Sequence, residues 1–537
     1  MKMLSVLQYD YPQIPLIHIV HEDDLVLLDA PDAAWFEVLY NFPWKDYQIY
    51  AAQYYDALYE FNIREAKKRQ ERIGEQGDQI GETKEEAKER LLFDRVTMQK
   101  YQGGNPSIIY EGEVPESELP KIEPESVSPG VVPKRPGGKK PKCFFALLKS
   151  FLGATLMGFA PEPENVYLLL HSNPSFVRVC GFAPKNEKDE YCFKHVPSLR
   201  KLEQFDQIMT EWGIWQSIKL QEVRGNIESG RIKKENELVA DTTHYYAYSG
   251  FETVKYIDDK GKEQKKSQSK LTKNCRCKNR ETCEHPWVLA DDGAGTIVKS
   301  NNKMYWAHKA SIIGFPRQGV PLDAVPISDA STFDGETLYP HVKRLFDDLP
   351  EIKSSVKRIL YDSACDNKEL KEKLLNDFGI ELKASLNPRR KKEVTENLPR
   401  GIEKITPYGV PICIAGHEMD YKGMRYENEK FIYQAPQDSE HSPVCLTCQH
   451  KENCCTNSFI TGRIINISFD LVPHIDTDDP PMAKRFKAIM TRRPSVERMI
   501  KRLKCDLSDD RLTKRGNDSF QAYLDKTLIA FHILLRC

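Results

Sequence analysis

Seven segments between residues 237 and 386 constrain the fold more tightly than anything else in this chain. ELVADTTHYYAYS, KMYWAHKASIIG and VPLDAVPIS are rich in β-branched and aromatic residues and read as strands. TLYPHVKRLFDDL then has the spacing of an amphipathic helix and VKRILYD that of a buried strand. NKELKEKLLNDFG reads as a helix closing on Gly379, and IELKASL as a last strand. Strands first, then strands alternating with helices, predict an α/β domain built around one sheet.

The order β-β-β-α-β-α-β is that of a ribonuclease-H-like core, and it gives two aspartates meaning. Asp241 follows the apolar Leu238-Val239-Ala240 in the first strand, and Asp362 ends the strand Arg358-Ile359-Leu360-Tyr361. These strands are neighbours in such a sheet, so the two carboxylates are expected at one edge. Glu497 comes later, in RRPSVERMIKRLK, a short helix begun near Pro494. Phosphodiester cleavage needs an activated oxygen nucleophile and a stabilised leaving oxygen. Two magnesium ions ~4 Å apart serve both, and carboxylates are the ligands they prefer, with manganese as a substitute. Simpler readings exist for each acid taken singly. Asp362 or Asp366 suits a cap for the helix that follows, Glu497 suits an i,i+4 pair with Lys501, and the Asp291-Asp292 pair rivals Asp241.

The C-terminal stretch resembles the DDE transposases of bacterial insertion sequences that carry a Y-x2-R-x3-E-x6-K pattern around the third acid. Arg493, Glu497 and Lys504 stand at the matching intervals, while Met490 occupies the tyrosine position. ADTTHYYAYS and LYDSACDNKELKEKL are similar to the blocks bearing that family's first and second aspartates. ADDGAGTIVKSNNKMYWAHKASI is similar to the hairpin between them. The resemblance covers about 143–537. It implies catalytic Asp241, Asp362 and Glu497 on two Mg2+ ions, with Arg493, Lys504 and the nearby Lys501 engaging DNA. The implied partners are terminal inverted repeats and target DNA, worked on by a dimer, with strand cleavage followed by strand transfer. A ribonuclease-H-like nuclease without strand transfer, and a catalytically silent zinc-stabilised DNA-binding protein, are the alternatives.

Basic stretches flank the proposed site. Residues 260–280 carry nine Lys or Arg against one Glu, and Arg389 and Arg390 lie in a second run after the last strand. Beside an acidic site that cuts DNA, both are expected to contact phosphates. The fourteen cysteines cluster, which favours metal ligation over disulfides. Cys445, Cys448, Cys454 and Cys455 form C-x2-C-x5-C-C, a candidate structural zinc site. Adjacent cysteines rarely reach one metal together, so Cys413, about thirty residues upstream, is a candidate replacement. Cys275, Cys277, Cys283 and His285 form a second, weaker zinc candidate.

The remaining organisation follows from composition. At 537 residues the chain needs two or three domains, and its net charge of −1 hides an uneven distribution of charge. Residues 1–102 pass from an aromatic segment into a charged, helix-favouring run. Residues 103–142 are a Gly/Pro-rich linker, 143–230 an all-helical unit with possible DNA-binding function, and 231–537 the catalytic domain, with a cysteine-containing insertion at about 388–490. The longest apolar run falls short of the ~20 residues a membrane span requires. No basic flank and apolar run of a secretory signal opens the chain, so a cytoplasmic protein is expected.

Overall fold

The computed structural model describes residues 30–80, 142–182, 196–257, 261–273, 281–300, 303–387, 392–439, 441–454 and 462–537. Arg389, Arg390, Cys275, Cys277 and Cys455 lie outside the described residues.

The first layer is helical. It comprises α1 (Ala30–Asn41), α2 (Gln48–Ile80), α3 (Phe144–Leu156), α4 (Pro163–Ser172), α5 (Pro174–Cys180), α6 (Leu199–Glu211) and α7 (Ile214–Glu228). Every residue of α3 is buried, as expected for a helix apolar on all sides, and it packs among Phe36, Tyr54, Phe176, Phe205 and Trp215. The aromatic segment near the N-terminus therefore shares one core with residues 144–218 and forms no unit of its own. Among the described residues no helix is long and apolar enough to cross a membrane.

The sheet follows. Its central strand is β1 (Glu237–Tyr246); the chain then makes two hairpins, β2 (Phe251–Ile257) with β3 (Glu263–Ser269) and β4 (Leu271–Lys273) with β5 (Trp287–Leu289). Next come β6 (Gly295–Ser300), β7 (Lys303–Phe315) and β8 (Val320–Pro326), the helix α8 (Asp334–Asp348), β9 (Arg358–Tyr361), α9 (Lys368–Phe378) and β10 (Glu381–Ala384). The strand order is β10-β9-β1-β7-β6, and β8 also pairs with β7. β1 runs antiparallel to β7 and parallel to β9, which runs parallel to β10. A strand paired on both edges and covered on both faces must be apolar throughout, which explains the buried Leu238-Val239-Ala240 run. All seven segments expected from sequence are present. The β2–β3 and β4–β5 hairpins between the first two expected strands were not anticipated.

Residues 402–468 form small sheets: β11 (Ile402–Ile405) with β12 (Pro411–Cys413), and β13 (Asp420–Arg425), β14 (Lys430–Gln434) and β15 (Ile464–Ser468) together. They enclose a separate core with Ile405, Phe431, Tyr433 and Ile467 at its centre. The chain then returns to the main sheet through α10 (Lys484–Met490) and α11 (Ser495–Lys501), and ends in α12 (Asn517–Leu534).

Candidate active site

Pairing of β1 with β9 sets the first two acids. Val239 is opposite Leu360 in parallel register, and Asp241 and Asp362 each lie two residues further along their strands. The two carboxylates therefore leave the sheet at neighbouring strand ends. Side chains alternate along a strand, so Glu237, Val239 and Asp241 share one face. Val239 and Leu360 pack on that face against Ile489, Val496 and Met499, which brings α11 and Glu497 over the same edge.

Two consecutive arginines clamp this approach. Arg492 makes a bidentate pair with the buried Glu237, at 2.5 and 2.7 Å, while Arg358 holds Glu237 from β9 at 3.2 Å. Arg493 donates through Nη2 to Asp241 Oδ2 and through Nη1 to Glu497 Oε1, both at 2.6 Å. One guanidinium thus joins the first and third acids, which are 256 positions apart in sequence. Glu497 therefore takes its i,i−4 partner, Arg493, in place of the Lys501 that helical spacing also allows. Lys501 is exposed.

Asp241 has a proton affinity unlike that of a surface aspartate. Burial raises its pKa to about 6, with Asp362 and Asp334 adding to the rise, while Arg493 and the Thr242 N–H pull it down. Asp362 Oδ1 accepts from the Ala364 N–H at 2.9 Å, so it caps a single 3-10 turn. The following helix has its own cap, Asn367, which accepts from the Glu369 N–H at 2.9 Å. Asp366 is held structurally by Lys371 and by the Asn387 N–H. Asp291 is fully buried against His308 at 3.0 Å and accepts from the Gly516 N–H, so it belongs to a fixed interior pair.

Asp334 is the member of this neighbourhood that sequence reading missed. It opens α8, pairs with Lys309 at 2.7 Å, and its charge acts on Asp241, Tyr361 and Cys365. An aspartate in a helix's first turn is so common there that its position gave no signal. Lys504 is mostly turned inward: its ammonium donates to the His244 carbonyl, lies 3.8 Å from Asp510 and sits 5.2 Å from the Tyr245 ring.

The cysteines divide cleanly. Cys413, Cys445, Cys448 and Cys454 line one small cavity of about 20 Å³ in the inserted module, with His417 and Arg463 also on its wall. Arg463 Nη1 donates to Cys454 Sγ at 2.7 Å. Burial raises the Cys445 thiol pKa, and the three neighbouring thiols add to the rise. In the second group, Cys283 receives the Lys273 ammonium at its carbonyl and at Sγ, and His285 is exposed. Among the described residues no three His, Cys, Asp or Glu side chains close on a single point as a finished metal shell.

No family model matches the chain, and no curated protein matches it. A solved structure that it resembles is the cryo-EM structure of a piggyBac transposase synaptic complex with hairpin DNA. The match has 10% identity and a TM-score of 0.29, and covers 73% of this chain and 64% of that one. The chain thus spans less than two thirds of the length of that transposase. A superposition this loose transfers no residue's role; the site stands on its own geometry.

Proposed function

We propose that the chain is a DDE-type DNA transposase, with Asp241, Asp362 and Glu497 as its catalytic acids on a ribonuclease-H-like sheet. The observation that carries this reading is the gathering of the three acids at one sheet edge. Asp241 and Asp362 end neighbouring parallel strands, and Arg493 ties Glu497 to Asp241. The strand order, with three antiparallel strands followed by two parallel ones reached through helices, supports the fold assignment.

The donor set suits hard divalent cations. It is made of carboxylates, and the charges of Asp362 and Asp334 hinder ionisation of Asp241, a repulsion that a cation relieves. When bound, two magnesium ions supply activation of the attacking oxygen and stabilisation of the leaving oxygen. Asp241, Asp362 and Glu497 would hold them. Arg493 supplies the positive charge shared by Asp241 and Glu497 in this arrangement, and it can turn to a DNA phosphate when the carboxylates gain other partners. The exposed Lys501 and the basic 260–280 segment extend the phosphate-binding surface. Strand cleavage at inverted repeats, followed by attack of the freed 3′-hydroxyl on target DNA, is the proposed reaction. Two ends require two copies of the chain.

The test is direct. The purified chain with magnesium is given a duplex carrying the inverted repeats that flank its gene, and nicked and joined products are counted. Asp362→Ala is expected to lower both by ~10³-fold or more, the scale of several kcal/mol of lost transition-state stabilisation. Undiminished activity in that variant would sink the assignment. Nicking without joining would favour a ribonuclease-H-like nuclease.

A further inference from the structure

We infer that Cys413, Cys445, Cys448 and Cys454 form a structural zinc site that staples the inserted module, independently of the chemistry proposed for the acidic edge. Four thiols from separate stretches of chain reach one cavity. Cys413 ends β12, Cys445 sits in the turn Val444–Leu446, Cys448 follows two residues after the turn, and Cys454 closes the short helix Lys451–Cys454. The cavity is about 20 Å³, enough for one atom-sized occupant, and Ile402, Met419 and Val444 also line it. Apolar walls around four sulfurs suit a soft, closed shell and give a water molecule few polar partners.

Cys413 thus takes the place for which the adjacent Cys454 and Cys455 compete. A sharp turn aims it inward: Cys413 N–H donates to the His417 carbonyl at 3.0 Å, and Gly416 N–H donates back to Cys413 at 2.7 Å, with Gly416 at φ 82°. Binding would follow Zn2+ + 4 RSH → [Zn(SR)4]2− + 4 H+, leaving two negative charges in a half-buried pocket. The cation to offset them is in place. Arg463 contacts Cys454 Sγ and also donates to the Arg400 carbonyl, which fixes its fork against the cavity. Gly401 has no room for a side chain there, since an added Cβ would stand 2.7 Å from Cys454 Sγ.

The module also needs a staple. Its sheets have two and three strands, and its core is a dozen buried residues separate from the main sheet's. Modules this small commonly require a metal or disulfides to stay folded.

The full chain, purified without chelator, should contain about one zinc per molecule by atomic emission, released by a thiol-specific mercurial in proportion to four titrated cysteines. Cys413→Ser and Cys448→Ser should lose that zinc, and Cys283→Ser should keep it. Since a ligand variant can misfold, the wild-type chain is also loaded with cobalt(II). A tetrahedral four-thiolate spectrum, with strong visible bands and sulfur-to-metal charge transfer, is expected. Zinc-free protein with four freely titrating thiols, a weak octahedral cobalt spectrum, or zinc lost only in Cys283→Ser would each overturn the inference.

Discussion

Asp241 is pulled in opposite directions by its surroundings. Burial and the neighbouring carboxylates favour its neutral form, while Arg493 favours the charged one, and the balance lies near pH 6. Between the ordinary value of 3.8 and about 6 the folded chain therefore binds more protons here than the unfolded chain. This contribution to stability is present in full at low pH and is lost as pH rises through 6. At pH 7, Asp241→Asn should then unfold with roughly 1–2 kcal/mol more difficulty than wild type in metal-free buffer. Denaturant titrations at pH 4 and pH 7 measure it, and an equal or lower stability at pH 7 counts against the site's electrostatics. Magnesium should raise the Tm of wild type and leave that of Asp241→Asn unmoved. In Arg493→Gln the lowering influence is gone, so the acid limb of the activity–pH profile should move to higher pH.

At the scale of elements, the site depends on how closely α11 lies on the sheet. Gly314, opposite Val239 across the β1–β7 pairing, permits that approach: an added Cβ would stand 2.7 Å from Met499 Sδ and would meet Pro321 and the Val320 carbonyl. Gly314→Ala should push α11 outward and weaken the Arg493 bridge. A fall of ~10-fold or more in DNA cleavage is expected with secondary structure by circular dichroism intact. Gly379 presents a different case. It caps α9 in the left-handed region at φ 69° with nothing near an added Cβ, so Gly379→Ala should cost about 1 kcal/mol by backbone strain alone, with little change in activity. The same cap was legible in the sequence because a glycine ended an amphipathic run. The hairpins β2–β3 and β4–β5 were hidden because their strands are half exposed and charged, as in FETVKYI and EQKKSQS, and show no clean alternation.

Over the whole molecule, α12 couples the helical layer to the sheet. Ala522, Ile529, Ala530 and Ile533 enter the helical core, while Tyr523, Leu524, Leu528 and Phe531 enter the core beneath the sheet. Two buried ion clusters fasten it. Asp206 of α6 meets Lys526 at 2.8 Å and Lys514, which overcome the effect of burial and bring its carboxyl to about 2. Lys219 of α7 meets Asp323 of β8 at 2.5 Å and Asp525 at 3.3 Å. Removing one partner strands a charge in the interior. Lys219→Met should therefore lower unfolding free energy by about 3–5 kcal/mol in chemical denaturation, well beyond the loss of a surface pair. A drop under ~1 kcal/mol would mean that water reaches this cluster.

Local chemistry is what the sequence alone could determine. The strands and helices from 237 to 386 follow from residue type and period, and Glu497 was placed by its interval to Arg493 and Lys504. Other features were set by partners far away in the chain. Arg493 bridging Asp241 and Glu497, the entry of Asp334 into the acidic edge, the inward turn of Lys504 and the choice of Cys413 over an adjacent thiol all depend on which elements pack together. A side chain's nearest charges are fixed by that packing, because Coulomb and hydrogen-bond forces act over a few ångströms of space whatever the separation along the chain.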